Sequence, residues 1–139
     1  VSDIGGDTGL YTGANNTYYG VHTGTTIHRY ESQSIGGTDY DGEYFLFKFP
    51  FQVDIHSLLM TSGSANTMPK TCYLLGSNDD GTTYEHIKTF DTASATSTTE
   101  SFTSGSSYST LKLIFYSIHG SYFRIEIGDL KMYAHGLYL

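Results

Sequence analysis

The chain has 139 residues, of which 38% are hydrophobic, and its 14 acidic and 7 basic side chains give a formal net charge of −7. Ser, Thr and Gly make up 51 of the residues, so short polar side chains must cover most of the surface. The basic residues are scattered and form no stripe for phosphates, which argues against binding to nucleic acid or to anionic membranes. The longest apolar stretches fall far short of the roughly 20 residues of a spanning helix, which argues against membrane insertion.

The first 43 residues are rich in glycine and poor in aliphatic side chains, which predicts a loop-rich N-terminal part. Within it, short strands are expected near residues 18–22 and 26–30. A loop region this long in a compact domain is usually functional. Because the sequence opens at Val1, we expect a processed or excised chain.

From residue 44 onward, apolar and polar side chains alternate with the period of two that is typical of strands. The clearest run, residues 44–51, places four phenylalanines on one face and predicts a core-facing strand. Residues 76–81 read GSNDDG, which predicts a hairpin turn because these residue types tolerate left-handed backbone. The pattern indicates an all-β, antiparallel β-sandwich, a single domain over 1–139 with main strands in 44–134. Further strands are predicted at 53–61, 71–75, 84–90, 100–103, 110–116, 122–127 and 130–134.

Four segments, in order, resemble the discoidin or coagulation factor type C-like domains and their relatives, the family 32 carbohydrate-binding modules. The GSNDDG turn after one strand and before Tyr84 is the most specific of the four resemblances. The resemblance implies a galactose-binding-like jelly roll. With Cys72 as the single cysteine, the end-tying disulfide of the lipid-binding relatives is absent, and loop 62–68 lacks the arginine of many sugar-binding relatives. The segments are 41–51 (DGEYFLFKFPF), 69–84 (PKTCYLLGSNDDGTTY), 111–115 (LKLIF) and 127–133 (IGDLKMY).

The resemblance implies glycan recognition by loop residues at one end of the sandwich. A sugar site needs an aromatic platform for the apolar face of a pyranose and a few polar groups for its hydroxyls. In the family the loop before the last strands often delivers the stacking aromatic, so Tyr122 is the first choice here. Taken singly, each candidate also fits a packing or surface role. The candidate ligand-binding residues are Tyr18, Tyr19, His22, His28, Arg29, Tyr30, His119 and Tyr122.

The resemblance also implies a structural Ca²⁺ ion, since many family members hold one between the N-terminal loops and a carboxylate of the final strand. The matching carboxylate is Asp129, and Asn15 and Thr17 would supply further oxygen ligands. Hard oxygen donors suit this ion. The alternative is that Asp129 only caps a turn.

No sequence motif of a hydrolase, a zinc protease, a phosphate loop or a dithiol centre occurs, so an enzyme is not expected. The first hypothesis is a non-catalytic carbohydrate-binding or adhesion module that recognises glycans or glycoproteins. The alternative is a structural protein that decorates a virion, fibre or filament and binds protein neighbours, since the Ser, Thr and Tyr-rich texture resembles viral structural appendages. Both place the protein outside the cell or on a virion surface. Aromatic residues around a concave loop site would favour the first, and aromatics spread over a flat face the second.

Overall fold

The computed structural model describes residues 30–120 and 125–135, with side chains from residue 33 onward. In these ranges it is all-β, with eight antiparallel strands in two sheets. The five-stranded sheet has the order β1-β2-β7-β4-β5, and the three-stranded sheet has the order β6-β3-β8. The strands are β1 (Tyr30–Ile35), β2 (Thr38–Val53), β3 (Ile55–Thr61), β4 (Thr71–Ser77), β5 (Glu85–Asp91), β6 (Ser97–Ser101), β7 (Tyr108–Phe115) and β8 (Asp129–Ala134).

The strands predicted from alternation are confirmed at β2, β3, β4, β5, β7 and β8, with small shifts at their ends. The short strand expected at 100–103 lies at Ser97–Ser101 instead. Residues 125–127 are not in a strand, contrary to the prediction for 122–127, whose first part lies outside the described residues. The segment 30–43 also differs from the expected loop-rich part, because β1 and the start of β2 pair there as a hairpin.

The core lies between the two sheets and is filled by alternate side chains of their central strands. Phe45, Phe47, Phe49 and Phe51 of β2 all pack against it, as the alternation predicts. Strand β7 contributes three of the fully buried side chains, Leu111, Leu113 and Phe115, which are 0–2% exposed. Burying one such side chain stabilises the fold by about 1.5–3 kcal/mol, so this layer holds the sheets together.

The β1–β2 hairpin bends over the outer face of the five-stranded sheet, and Gly42 is the point of the bend. A Cβ atom at Gly42, where φ is +155°, would lie 1.9 Å from the carbonyl oxygen of Phe115, so no larger residue fits. Beyond the bend, Gln33 Oε1 lies 3.5 Å from Nζ of Lys112, whose side chain is only 5% exposed. The hairpin therefore covers side chains of β7 that point away from the core.

No helix within the described ranges is long and apolar enough to span a membrane.

Candidate functional site

Three connections meet at one end of the sandwich and are joined by backbone hydrogen bonds. We call this the loop end and define it as residues 62–70, 92–96, 116–120 and 125–128. The amide of Ser62 donates to Thr96 O at 2.8 Å, and the amide of Lys70 donates to Ser117 O at 2.7 Å. Buried backbone groups need such partners, so these bonds fix the loops against one another.

The first and last of these connections also meet at Gly120 and Asn66. The Gly120 amide donates to Asn66 O at 2.9 Å, and a Cβ atom at Gly120 would lie 2.4 Å from the Asn66 Cβ. Only glycine permits this contact. The Asn66 residue is exposed, so its amide group belongs to the rim of the loop end.

His119, a candidate residue from the sequence, lies half-buried in the loop end. Its Nε2 is 2.9 Å from Thr92 Oγ1, and that hydroxyl donates to Pro69 O at 2.6 Å. Because the threonine proton is used, Nε2–H must donate and Nδ1 is the free acceptor of the neutral ring. Burial, together with the charge of Lys70, holds the pKa of His119 below its ordinary value, against an opposing hydrogen bond that the ring donates to the Thr92 backbone. A neutral imidazole is therefore the form present at physiological pH.

Glu126 adds a carboxylate to the loop end. Its Oε2 accepts a hydrogen bond from Thr67 Oγ1 at 3.1 Å, and its amide donates to Thr67 O at 3.2 Å. The Thr67 hydroxyl in turn lies 2.9 Å from Ser62 Oγ. Neither Glu126 nor Asn66 is among the site residues predicted from the sequence, since the alternation around Glu126 indicates only a polar strand position and no motif marks Asn66.

Asp129 begins β8 at the rim of a cavity of about 330 Å³. The cavity is lined by Phe45, Phe47, Ile127, Gly128 and Leu130 besides Asp129. The Asp129 carboxylate lies 3.4 Å from Lys131 Nζ, and both side chains are about half exposed. The part of the chain with described side chains contains no group of three or more His, Cys, Asp or Glu that could hold a metal ion. Asp129 thus offers carboxylate oxygens without a second acidic, histidine or cysteine cluster around it in that part of the chain.

Comparison with protein-family models gives no match, and neither does comparison with curated protein sequences. Solved structures do match. The C-terminal domain of a chitobiase from Bacteroides fragilis gives a TM-score of 0.56 at 18% identity, covering 69% of this chain and 64% of that one. A family 32 carbohydrate-binding module from Streptococcus pneumoniae gives 0.53 at 16% identity, covering 65% and 68%.

A third structure, a CBM32 module from Clostridium perfringens in complex with GalNAc-β-1,3-galactose, gives a TM-score of 0.53 at 17% identity. It covers 66% of this chain and 65% of that one. The chain has the discoidin-like fold of family 32 carbohydrate-binding modules. The match spans about two thirds of each of the three chains. All three are bacterial, so the viral link expected from the sequence texture gains no support from them.

Within this discoidin-like fold, the other residues predicted for the site fall largely outside the described ranges. Tyr30 begins β1 and is described by its backbone alone. The structure therefore places one predicted ligand-binding side chain, His119, and one predicted metal ligand, Asp129. The predicted residues outside the described ranges are Tyr18, Tyr19, His22, His28, Arg29 and Tyr122, together with the calcium candidates Asn15 and Thr17.

Cys72, the single cysteine, lies in β4 with no exposed surface. Burial, followed by the charges of Glu100 and Asp91, raises the pKa of its thiol far above the ordinary value. The nucleophile in cysteine chemistry is the thiolate, so this sulfur is an inert part of the core.

The opposite end of the sandwich carries the predicted β4–β5 turn, which we call the turn end and define as residues 77–85. Asp80 and Gly81 have φ values of 57° and 80°, the left-handed backbone that the sequence predicts. The Asp79 carboxylate accepts bonds from the Thr83 amide at 2.8 Å and the Thr83 hydroxyl at 2.5 Å. The Ser77 hydroxyl donates to it as well, at 2.7 Å. These bonds, those from Thr83 first, lower the pKa of Asp79 to about 2.

Proposed function

We propose that this protein is a non-catalytic carbohydrate-binding module that recognises glycans through its loop end. The observation that carries the proposal is that an amide, an imidazole and a carboxylate, at Asn66, His119 and Glu126, lie on two loops joined by backbone hydrogen bonds. The similarity to solved carbohydrate-binding modules supports the same reading, since the fold is shared.

Sugar hydroxyl groups both donate and accept hydrogen bonds, so a sugar site combines neutral and acidic acceptors with amide donors. Asn66 supplies both a donor and an acceptor, while His119 Nδ1 and the Glu126 carboxylate supply acceptors. Because the backbone hydrogen bonds fix the loops before any ligand arrives, binding orders few side chains. A shallow site of this kind gains avidity when several copies are displayed together.

Tyr122 is the aromatic that we propose for stacking against the sugar ring. It belongs to the same connection between β7 and β8 that carries His119 and Glu126. Replacing Tyr122 with alanine should abolish glycan binding while leaving the melting temperature nearly unchanged. A large drop in melting temperature would instead assign Tyr122 to the core.

We further propose a structural Ca²⁺ ion held by Asp129 together with Asn15 and Thr17. Calcium takes six to eight oxygen ligands. To bind the ion, the Asp129 carboxylate would give up its contact with Lys131. Calcium should then raise the melting temperature of the wild type and not that of Asp129→Asn. An equal rise in both proteins, or none in the wild type, would remove Asp129 from the calcium site.

The test of the main proposal is a glycan array probed with the multimerised protein in calcium-containing buffer. The matched control is the double variant Asn66→Ala, His119→Ala, which removes two loop-end groups and leaves the core intact. Selective binding by the wild type that the double variant loses would support the proposal. A blank array with folded protein, or binding that the double variant retains, would refute it.

A structural protein that decorates a virion, fibre or filament is the second candidate, and one observation favours it. Leu46 and Tyr133 are the exposed large hydrophobic side chains among the described residues, at 39% and 45% exposure. They lie on different sheets, so each sheet offers one large apolar side chain to a protein neighbour. Either candidate places the protein outside the cell, and the virion surface belongs to this second candidate alone.

A further inference from the structure

Four aromatic rings form a continuous row on the outer face of the five-stranded sheet, and the row reaches the loop end at Tyr116. We call His86, Tyr40, Tyr73 and Tyr116, in that order, the aromatic row. The rings of His86 and Tyr40 are stacked, with centroids 5.4 Å apart and planes at 15°. Tyr73 meets Tyr40 edge to face at 4.8 Å and meets Tyr116 at 5.7 Å. The row thus crosses from β5 over the β1–β2 hairpin and β4 to the end of β7.

The rings of the row are anchored yet reachable from solvent. Tyr40, Tyr73 and Tyr116 are half-buried and His86 is exposed. The His86 Nε2 is 2.8 Å from Thr89 Oγ1, which fixes the plane of the imidazole. Rings held in this way lose little conformational freedom on binding a ligand.

The surroundings of the row are rich in oxygen. Burial, and then the neighbouring Tyr116, Tyr40, Asp91 and Asp41, raise the pKa of the Tyr73 phenol, which remains a neutral donor. The Asp91 carboxylate also accepts a hydrogen bond from Thr71 Oγ1 at 2.7 Å. A sugar has an apolar ring face and polar hydroxyl groups. Flat aromatic rings suit the first, and neighbouring phenol, hydroxyl and carboxylate groups suit the second.

The row is continuous with the loop end. Tyr116 is the first residue of the connection that carries His119, and its amide donates to Thr71 O at 2.9 Å. The next residue, Ser117, accepts the Lys70 amide within the loop end itself. Tyr116 therefore belongs both to the row and to the loop end.

We propose that the aromatic row is a second carbohydrate subsite, so that this protein binds oligosaccharides longer than a disaccharide. The inference rests on the proposed function and specifies its ligand class. A neutral, hydroxyl-rich ligand fits the row, because the rings are bordered by the Tyr73 phenol, the Thr71 hydroxyl and the Asp91 carboxylate.

The experiment measures affinity by calorimetry for GalNAc-β-1,3-galactose and for galacto-oligosaccharides of increasing length. The wild type should bind the longer oligosaccharides about tenfold more tightly than the disaccharide. Tyr40→Ala should lose that gain while its affinity for the disaccharide stays unchanged. Tyr40→Phe keeps the ring and should retain most of the gain, which separates stacking from the loss of the hydroxyl.

Leu46→Ala is the matched control, because Leu46 lies on the same strand and is exposed but outside the row. It should bind every ligand as the wild type does. Should Tyr40→Ala lower the melting temperature, His86→Ala, which removes the exposed end of the row, provides the second variant and should show the same loss of length dependence.

The outcomes separate the two proposals. If the wild type binds no carbohydrate at all, the proposed function fails and the subsite with it. If the wild type binds the disaccharide but gains nothing with length, or if Tyr40→Ala keeps the gain, the subsite alone is overturned. The row would then be assigned to packing of the hairpin or to a protein partner.

Discussion

The two ends of the sandwich use the same short polar residues in different ways. At the turn end, Asp79 bonds with Ser77 and Thr83, which lie two and four residues away. At the loop end, Thr67 bonds with Glu126 and Thr92 with His119, pairs that are 59 and 27 residues apart. The bonds of Asp79 that shape the turn are therefore local, and Asn78 adds bonds to Ser107 and Ser109, which lie 29 and 31 residues away. The Glu126 and His119 bonds of the loop end, in contrast, form only once the sheets have brought their loops together.

This difference carries over to the chemistry available at each end. The Asp79 carboxylate is occupied by three hydrogen bonds from its own turn, so its charge serves the hairpin. At the loop end backbone bonds join the loops, and the exposed Asn66 stands at its rim. We infer that the turn end stabilises the fold and the loop end binds.

The largest expected effect comes from breaking the contact between the two loops at Gly120. Gly120→Ala places a Cβ atom 2.4 Å from Asn66 Cβ, so the loops must separate, which costs about 1–3 kcal/mol of unfolding free energy. Gly128→Ala is the control, because its Cβ would meet only Thr61 oxygens at 3.6–3.8 Å, and it should change stability by less than about 0.5 kcal/mol. Urea unfolding measures both. Equal stabilities for the two variants would show that the loop end is not held at Gly120.

The next largest effect is expected on glycan affinity, which compares the two ends of the sandwich as binding surfaces. Asn66→Ala should weaken glycan binding about tenfold, or by about 1.4 kcal/mol, because it removes a donor and an acceptor from the loop end. Asp80→Asn at the turn end removes a charge that is 80% exposed and keeps a residue that tolerates left-handed backbone. Its affinity should equal that of the wild type in the same titration. Weaker binding by Asp80→Asn alone would move the site to the turn end.

Acid should lower the stability of the protein through Asp79 in the turn end. The pKa of this carboxyl is about 2 in the folded protein against an ordinary 3.8, so its stabilising contribution is present above pH 3.8. It is lost as the pH falls toward about 2, when the folded state also takes up the proton. Asp79→Asn should be less stable than the wild type at neutral pH, and the gap should close over this window. A gap that stays constant across the pH series would show that the charge of Asp79 is not what stabilises the turn.

The smallest effect is expected from His119, on the pH dependence of stability. Because its folded pKa is lowered, the neutral ring stabilises the loop end above the ordinary pKa of 6.5, and this contribution is lost as the pH falls below it. His119→Gln keeps an amide donor for Thr92 and cannot titrate, so the variant should lose less stability than the wild type between pH 7 and 5. Thermal unfolding at the two pH values measures this. Identical pH dependence in both proteins would mean that His119 is not buried in its neutral form.

The contrast between local and distant contacts also explains what the sequence predicts well. The alternation of Phe45 to Phe51 and the GSNDDG turn encode β2 and the hairpin through neighbouring residues, and both are confirmed. The resemblance to discoidin-like domains predicts the fold correctly. Residues 125–127 have the alternation of a strand, yet the Glu126 amide donates to Thr67 O in the loop between β3 and β4.

The candidate site is harder to predict for the same reason. His119 was found because an imidazole in a loop is conspicuous, whereas Asn66 and Glu126 carry no local signal. Their roles depend on Gly120 and Thr67, which lie far away in sequence and close in space. The bend at Gly42 that carries Tyr40 over the sheet is likewise set by a contact with Phe115.

The most direct test of the account is an NMR titration of isotope-labelled protein with GalNAc-β-1,3-galactose, in which each backbone amide reports its own end of the sandwich. We expect shifts that saturate with ligand at residues 64–68, 92 and 117–120, while residues 77–85 stay unchanged. Saturating shifts confined to residues 77–85, or no shifts at the loop end with this disaccharide or with any glycan that the array identifies, would contradict the assignment of binding to the loop end.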